Sequence, residues 1–194
     1  ATSDSGDTVE MIERPHGGLS VVLVDGQSSG RGAKIVSNIA ARKATSLLGE
    51  GVRDGAAARA THDYLRTHRG GRVSAELQIV SVDLVTRTLV VSRNARCPAH
   101  VAQRGEVRAL DAQSEPIGLR ANTKPVIVEL PLEPETYVVA ASDGVMHAGT
   151  RRGESIALAA DDYRPVDDVS VVVAAVLPGD VPHGARRLAV SLPV

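Results

Sequence analysis

An α+β fold built on antiparallel strands is predicted by three features of the sequence. Short apolar runs with two-residue alternation dominate residues 73–141, each followed by a tight polar turn, which is the pattern of hairpins. Two helical periodicities, over 31–49 and 53–68, stand side by side between the first pair of strands and this strand-rich block. A chain of 194 residues with 43% hydrophobic content is long enough for one good core and short for two. No repeat, low-complexity tract or linker interrupts it, so residues 1–194 read as a single domain with helices packed outside a strand system.

Taken in order, residues 7–13 and 19–25 read as strands joined by Arg14-Pro15-His16-Gly17-Gly18. Gly26 to Gly32 is a Gly/Ser-rich loop. Ile35, Val36, Ile39, Ala40, Lys43 and Leu47 then recur at helical spacing, and Gly49 and Gly51 stop the helix. The Ala-rich segment 53–68 reads as a second helix with Tyr64 and Leu65 on its buried face. Strands follow at 76–82 and 88–92, at 101–104 and 107–110 around Gly105-Glu106, and at 126–130 and 136–141. Residues 144–166 are polar, with a short helix expected near 154–160. A strong strand is expected at 168–176 and a further one at 185–192.

Composition removes several functional classes. Three Tyr, with no Trp and no Phe, leave no platform on which single-stranded nucleic acid could stack. A net charge of −1 gives no bulk attraction to DNA or to an anionic membrane. The single Cys97 excludes an internal disulfide and a cysteine-based zinc site. No apolar stretch has membrane-spanning length and no signal-peptide pattern is present, so a cytoplasmic location is expected.

The residues that point to chemistry are acidic and lie at strand ends. Asp25 closes the run Leu19–Val24, Asp143 follows Tyr137–Ser142, and Asp167 opens the run Val169–Val176. Asp25 and Asp143 each precede glycine. Strand ends far apart in sequence converge in space, and converging carboxylates repel unless a cation lies between them. Clusters of oxygen donors suit Mg²⁺ or Mn²⁺. A single Asp before Gly at a strand end is ordinarily a turn residue. The Gly26–Gly32 loop lacks the Gly-Lys-Ser/Thr ending of a nucleotide-binding loop. Cys97 reads as a small buried filler. The six histidines show no metal-ligand spacing, and only His147, beside Ser142-Asp143-Gly144, lies near the acids in sequence. Glu10 and Glu13 read as charged strand-face residues, although either could reach an ion through water.

In order and spacing, these segments resemble the metal-dependent PPM (PP2C-like) protein phosphatases, and within them the bacterial SpoIIE/RsbU/RsbX branch. Ser5-Gly6-Asp7 resembles the first Gly-Gly-Asp motif, 18 residues before Asp25. Asp25-Gly26-Gln27-Ser28-Ser29-Gly30-Arg31-Gly32-Ala33 resembles the loop that opens the first helix. Ser92–Ala99 resembles the segment containing Asn-Ala-Gly-His-Pro, and Pro116-Ile117-Gly118-Leu119 resembles the Pro-Leu-Gly-Leu after it. Ser142-Asp143-Gly144-Val145 and Asp167-Asp168-Val169-Ser170-Val171 resemble the last two acidic motifs. The resemblance covers about residues 5–176 and implies an α/β/β/α sandwich of two antiparallel sheets flanked by helices.

It also implies a mechanism. Two Mn²⁺ or Mg²⁺ ions roughly 3.5–4 Å apart activate one water for in-line attack on a phosphate monoester. Asp25 would bridge the ions, Asp143 and Asp167 would hold one of them, and Asp7 with the Gly26 carbonyl would hold the other. Gly26 would be glycine so that its carbonyl can approach an ion. Asp168 and Asn94 would support the ligands from behind, and Arg31 or Arg96 would hold the substrate phosphate. The chain departs from the branch in three places: Asp167 follows Asp143 by only 24 positions, no sensor domain is expected before residue 7, and Arg96-Cys97 stand where the branch has Gly-His. These features resemble the sensorless stressosome phosphatases of RsbX type, which implies phosphorylated STAS-domain proteins as partners. The competing expectations are a pseudophosphatase that retains the sandwich as a binding module, and a phosphatase for a small phosphorylated metabolite.

Overall fold

The structure is a computed structural model that describes residues 5–144 and 170–175. Its elements are β1 (Asp7–Glu13), β2 (Leu19–Gly26), α1 (Arg31–Gly49), α2 (Asp54–Arg69), β3 (Ala75–Asp83), β4 (Thr88–Asn94), β5 (Ala99–Gln103), β6 (Glu106–Leu110), β7 (Val126–Pro131), β8 (Tyr137–Ala141) and β9 (Val171–Ala175). A short 3₁₀ turn, Pro15–Gly17, joins β1 to β2. The first sheet has the order β1-β2-β3-β4-β7 and the second β6-β5-β8-β9. Every strand pair in both is antiparallel.

Alternation along β2 and β3 sorts residues to two faces. Val22 and Val24, with Leu77 and Ile79 opposite them, face α1 and α2. They form one core with Val36, Ala40, Ala44, Leu48, Ala57 and Leu65. Leu23 and Val80 point the other way, into a second core with Leu89, Val91, Ala99, Val101, Val138 and Ala140. The layers are therefore helices, first sheet and second sheet. The second helical layer, the short helix expected at 154–160 and the strand expected at 185–192 fall outside the described residues. Among the described residues, no helix is long and apolar enough to cross a membrane.

The helix faces differ from the sequence reading by one position each. On α1 the buried set is Ala33, Val36, Ser37, Ala40, Ala41, Ala44, Thr45 and Leu48, while Ile35 is exposed. On α2 Leu65 is buried but Tyr64 is exposed. It stacks on His68, with Lys43 of α1 over its ring. The small residues Ala57, Ala58 and Thr61 form the contact face of α2. This close-packed stripe turns the bulky Tyr64 outward.

A buried polar chain pins α2 to the sheet. Arg14, in the β1–β2 turn, donates to Asp54 Oδ2 at 2.7 Å and to the Val52 carbonyl at 2.7 Å. Asp54 Oδ1 accepts from Ser81 Oγ, which is bonded in turn to Ser20 Oγ at 2.6 Å. Ser20 and Ser81 are direct cross-strand partners on the helix face. Removing one member of a buried ion pair leaves the other charge uncompensated. Asp54→Ala is therefore expected to lower unfolding free energy by about 3 kcal/mol or more, measured by urea denaturation. Ser20→Ala, which removes one neutral hydrogen bond, is expected to cost about 1 kcal/mol. Equal losses in the two variants would disprove the pinning role.

Candidate active site

Strand register builds the site. Asp7 lies directly across from Asp25, and Asp25 directly across from Glu76. Opposed residues in antiparallel strands share a face. The three carboxylates therefore form a row across β1, β2 and β3, on the side facing the second sheet. Asp7 and Glu76 are buried, at 4% and 6% exposure. Asp143 approaches from the second sheet, two residues beyond the end of β8. Its height is set by Gln78 of β3, whose Nε2 donates 2.7 Å to the carbonyl of Ala141. Ser142 exchanges hydrogen bonds with Ser170 at 2.9 Å in each direction, tying the end of β8 to the start of β9.

Asp25, Glu76 and Asp143 line one pocket of about 100 Å³ with Gly26, Gln27, Ser28, Ser74, Ala75, Arg96 and Pro116. One wall is the loop after β2, fixed by mutual hydrogen bonds between Gln27 and Ser74. Gly30 ends that loop at φ +82° and ψ −166°, a conformation open essentially to glycine alone. Gly26 also packs closely against the first turn of α1. A Cβ there would lie 2.2 Å from the carbonyl oxygen of Ala33, so the missing side chain admits the first turn of α1 against the end of β2. The opposite wall is the Pro116 segment. His62 of α2, 1% exposed, accepts the Gly118 N–H on Nδ1 at 3.0 Å, and Ile117 pairs with Ala75 through two backbone hydrogen bonds.

Asp7 lies across from Asp25, and Asp25, Gly26 and Asp143 line the pocket. Asp167 and Asp168 fall outside the described residues, as does His147. Asn94 is buried, but its register partner is Leu77, on the helix face, and its side chain donates to the Glu115 carbonyl at 3.0 Å. It supports the Pro116 wall and touches none of the carboxylates. Glu10 also faces the helices, where Thr45 donates to it, because it is an odd number of residues from Asp7. Arg31 does not line the pocket, whereas Arg96 does. Cys97 is buried, and burial pushes its thiol up to about 12, so it carries no thiolate at neutral pH. Sequence reading missed Glu76. Its signal was present only in the register, which sets it beside Asp25.

Among the described residues, Arg96 is the cation that lines the pocket. Its backbone N–H donates to Glu76 Oε2 at 3.1 Å, its Nε to Glu76 Oε1 at 2.5 Å, and its Nη2 to Asp143 Oδ2 at 3.1 Å. The hydrogen bond it donates to Glu76 is the main cause of the raised Arg96 pKa. Asp25 has no such relief. Burial first, then the charges of Asp7, Asp143 and Glu76, push it up to about 8. A site that makes an aspartate this reluctant to ionise is short of positive charge. Its donors are all oxygen and all hard, which fits Mg²⁺ or Mn²⁺ in kind. As they stand, no three acidic, imidazole or thiol groups among the described residues are gathered closely enough to chelate an ion.

Two outcomes follow from these charges. A carboxylate with a raised folded-state pKa destabilises the fold wherever it must ionise, here increasingly as pH climbs from about 4 toward about 8. Asp25→Asn should therefore raise the melting temperature of chelator-treated protein at pH 8 more than at pH 5; an equal or negative shift refutes the crowding. Burial, the largest cause, lowers the His62 pKa below its ordinary 6.5. The folded state then holds fewer protons than the unfolded chain, and stability falls as pH drops below about 6.5. His62→Gln should flatten that part of the pH–stability curve, which can be checked by urea midpoints between pH 5 and 7.

The Stage II sporulation protein E (SpoIIE) family model matches residues 15–184. No curated protein sequence matches significantly. The fold is similar to the PP2C phosphatase domain, with a regulatory fragment, of the cell-fate determinant SpoIIE from Bacillus subtilis. The TM-score is 0.66 at 20% identity, over 79% of this chain and 45% of that one. The chain therefore spans less than half of that SpoIIE structure. It is similar to RsbX in complex with magnesium, with TM-score 0.63 and 15% identity over 75% of this chain and 69% of that one. It is also similar to the serine/threonine phosphatase Stp1 from Staphylococcus aureus, with TM-score 0.72 and 12% identity over 91% of each chain. The family model covers most of the chain, and the solved structures share its fold: this chain belongs to the SpoIIE family and has the PP2C-like serine/threonine phosphatase fold.

Proposed function

We propose that this protein hydrolyses phosphoserine or phosphothreonine on a protein substrate, with two Mn²⁺ or Mg²⁺ ions at the acidic pocket. The observation that carries the reading is the convergence of Asp7, Asp25 and Glu76 from one sheet with Asp143 from the other. Bound ions would supply an activated water and neutralise the charge of a phosphate monoester. Asp25, central in the row and touched by the charges of Asp7, Glu76 and Asp143, is the group best placed to be shared between two ions. Asp7 would hold one ion with the Gly26 carbonyl, and Asp143 with Asp167 the other. Gln78 and Ser142 fix the reach of Asp143 across the gap between the sheets.

The substrate reading follows the RsbX-type resemblance: a cytoplasmic stress-signalling role, acting on phosphorylated STAS-domain proteins of a stressosome. A second reading, a pseudophosphatase that binds its partner without turnover, is favoured by one observation. Arg96 already occupies Asp143, where the branch has glycine.

Release of phosphate from p-nitrophenyl phosphate and from a phosphorylated STAS-domain protein distinguishes the readings. Mn²⁺-dependent release by wild type is expected, reduced at least a hundredfold in Asp25→Asn, on the scale of losing one group essential to transition-state charge. The ratio between the two substrates reports whether the target is a protein. Folded, Mn²⁺-supplied protein that releases nothing from either substrate supports the pseudophosphatase.

A further inference from the structure

Glu76 and Arg96 are a built pair rather than a loose surface contact. Glu76, 6% exposed, spends one carboxyl oxygen on the Arg96 backbone N–H and the other on its Nε. The loop that carries Arg96 is itself fixed. Arg93, 2% exposed, donates Nη2 to the carbonyls on either side of Arg96, Ala95 at 3.1 Å and Cys97 at 2.9 Å, and Nη1 to that of Leu110. Ser114 Oγ accepts from the N–H of Ala95 and donates to its carbonyl, at 3.1 Å each. The backbone and Nε of Arg96 are thus held on the first sheet, and its free arm reaches Asp143 on the second.

That geometry places a permanent cation between Glu76 and Asp143. We propose that Arg96 is an internal competitor of the divalent cation at Asp143: it stabilises the metal-free site and sets the threshold concentration at which metal binds. The inference rests on the reading of Asp143 as a metal ligand. Coupling between two cations that share one carboxylate is reciprocal. An ion at Asp143 must displace Nη2 or accept its repulsion, which solvent around the 65% exposed Arg96 side chain weakens but does not remove at contact distance.

The test is Mn²⁺ binding to the full chain, read by loss of the free-ion electron paramagnetic resonance signal, together with melting temperature in chelator. Arg96→Gln keeps a polar side chain and removes the charge. It should bind Mn²⁺ about tenfold tighter than wild type, the scale of one charge-assisted hydrogen bond, and melt lower than wild type in chelator. Arg96→Lys keeps the charge but cannot span Glu76 and Asp143 as a fork. It should bind tighter than wild type and less tightly than Arg96→Gln, and it serves alone if Arg96→Gln does not fold. Unchanged or weaker binding in the variants, with measurable binding by wild type, overturns the competition and leaves the phosphatase reading standing. Folded wild type and variants that bind no Mn²⁺ overturn both.

Discussion

Like charges directly opposed across a sheet destabilise it, and this protein opposes three in a row. Asp7, Asp25 and Glu76 follow from the same register that aligns Val24 with Leu77 and Leu23 with Gln78. The repulsion cannot be relieved by slipping a strand. A one-residue slip would turn Val22, Val24, Leu77 and Ile79 out of the helix-facing core. Burial of two cores, one on each face of the first sheet, therefore holds the acids in place. Arg96, bonded to Glu76, brings a compensating charge to one end of the row.

The rest of the architecture serves the reach between layers. A single buried amide, Gln78, couples the first sheet to the end of β8, so Asp143 moves with the row it faces. α1 comes close to β2 only because Gly26 has no side chain, and that contact holds the loop wall of the pocket. α2 is held by the Arg14–Asp54–Ser81–Ser20 chain and passes its position to the Pro116 wall through His62 and Gly118. The polar links among these are buried and intolerant of a missing partner. The pocket is thus rigid where it is walled and electrostatically stressed where it is acidic, a combination typical of sites that do chemistry.

Arg96 changes how a SpoIIE-family site is read in this chain. Here one cation is covalently part of the chain and anchored by a buried carboxylate. An arginine cannot lose its charge under ordinary conditions. Its effect on a neighbouring ion therefore persists at every pH at which the fold survives.

Sequence alone determined the strand and helix order, because alternation of period two and spacing near 3.6 are local properties of which residues must be buried. It also marked Asp25, Asp143 and Asp167 by their positions at strand ends, and Asp7 through the resemblance of Ser5-Gly6-Asp7 to a family motif. Tertiary structure decided what depends on register and on packing between layers. Glu76 is an unremarked strand residue until pairing sets it beside Asp25. Gly26 reads as a site for close backbone approach, but only the placement of α1 shows that the approaching group is the Ala33 carbonyl. Tyr64 reads as core until the small face of α2 packs down and leaves it outside. Arg31 and Arg96 are equivalent in sequence as cations near a motif. Only the fold, by fixing the Ala95–Cys97 loop over the pocket, gives one of them an acid from each sheet to hold.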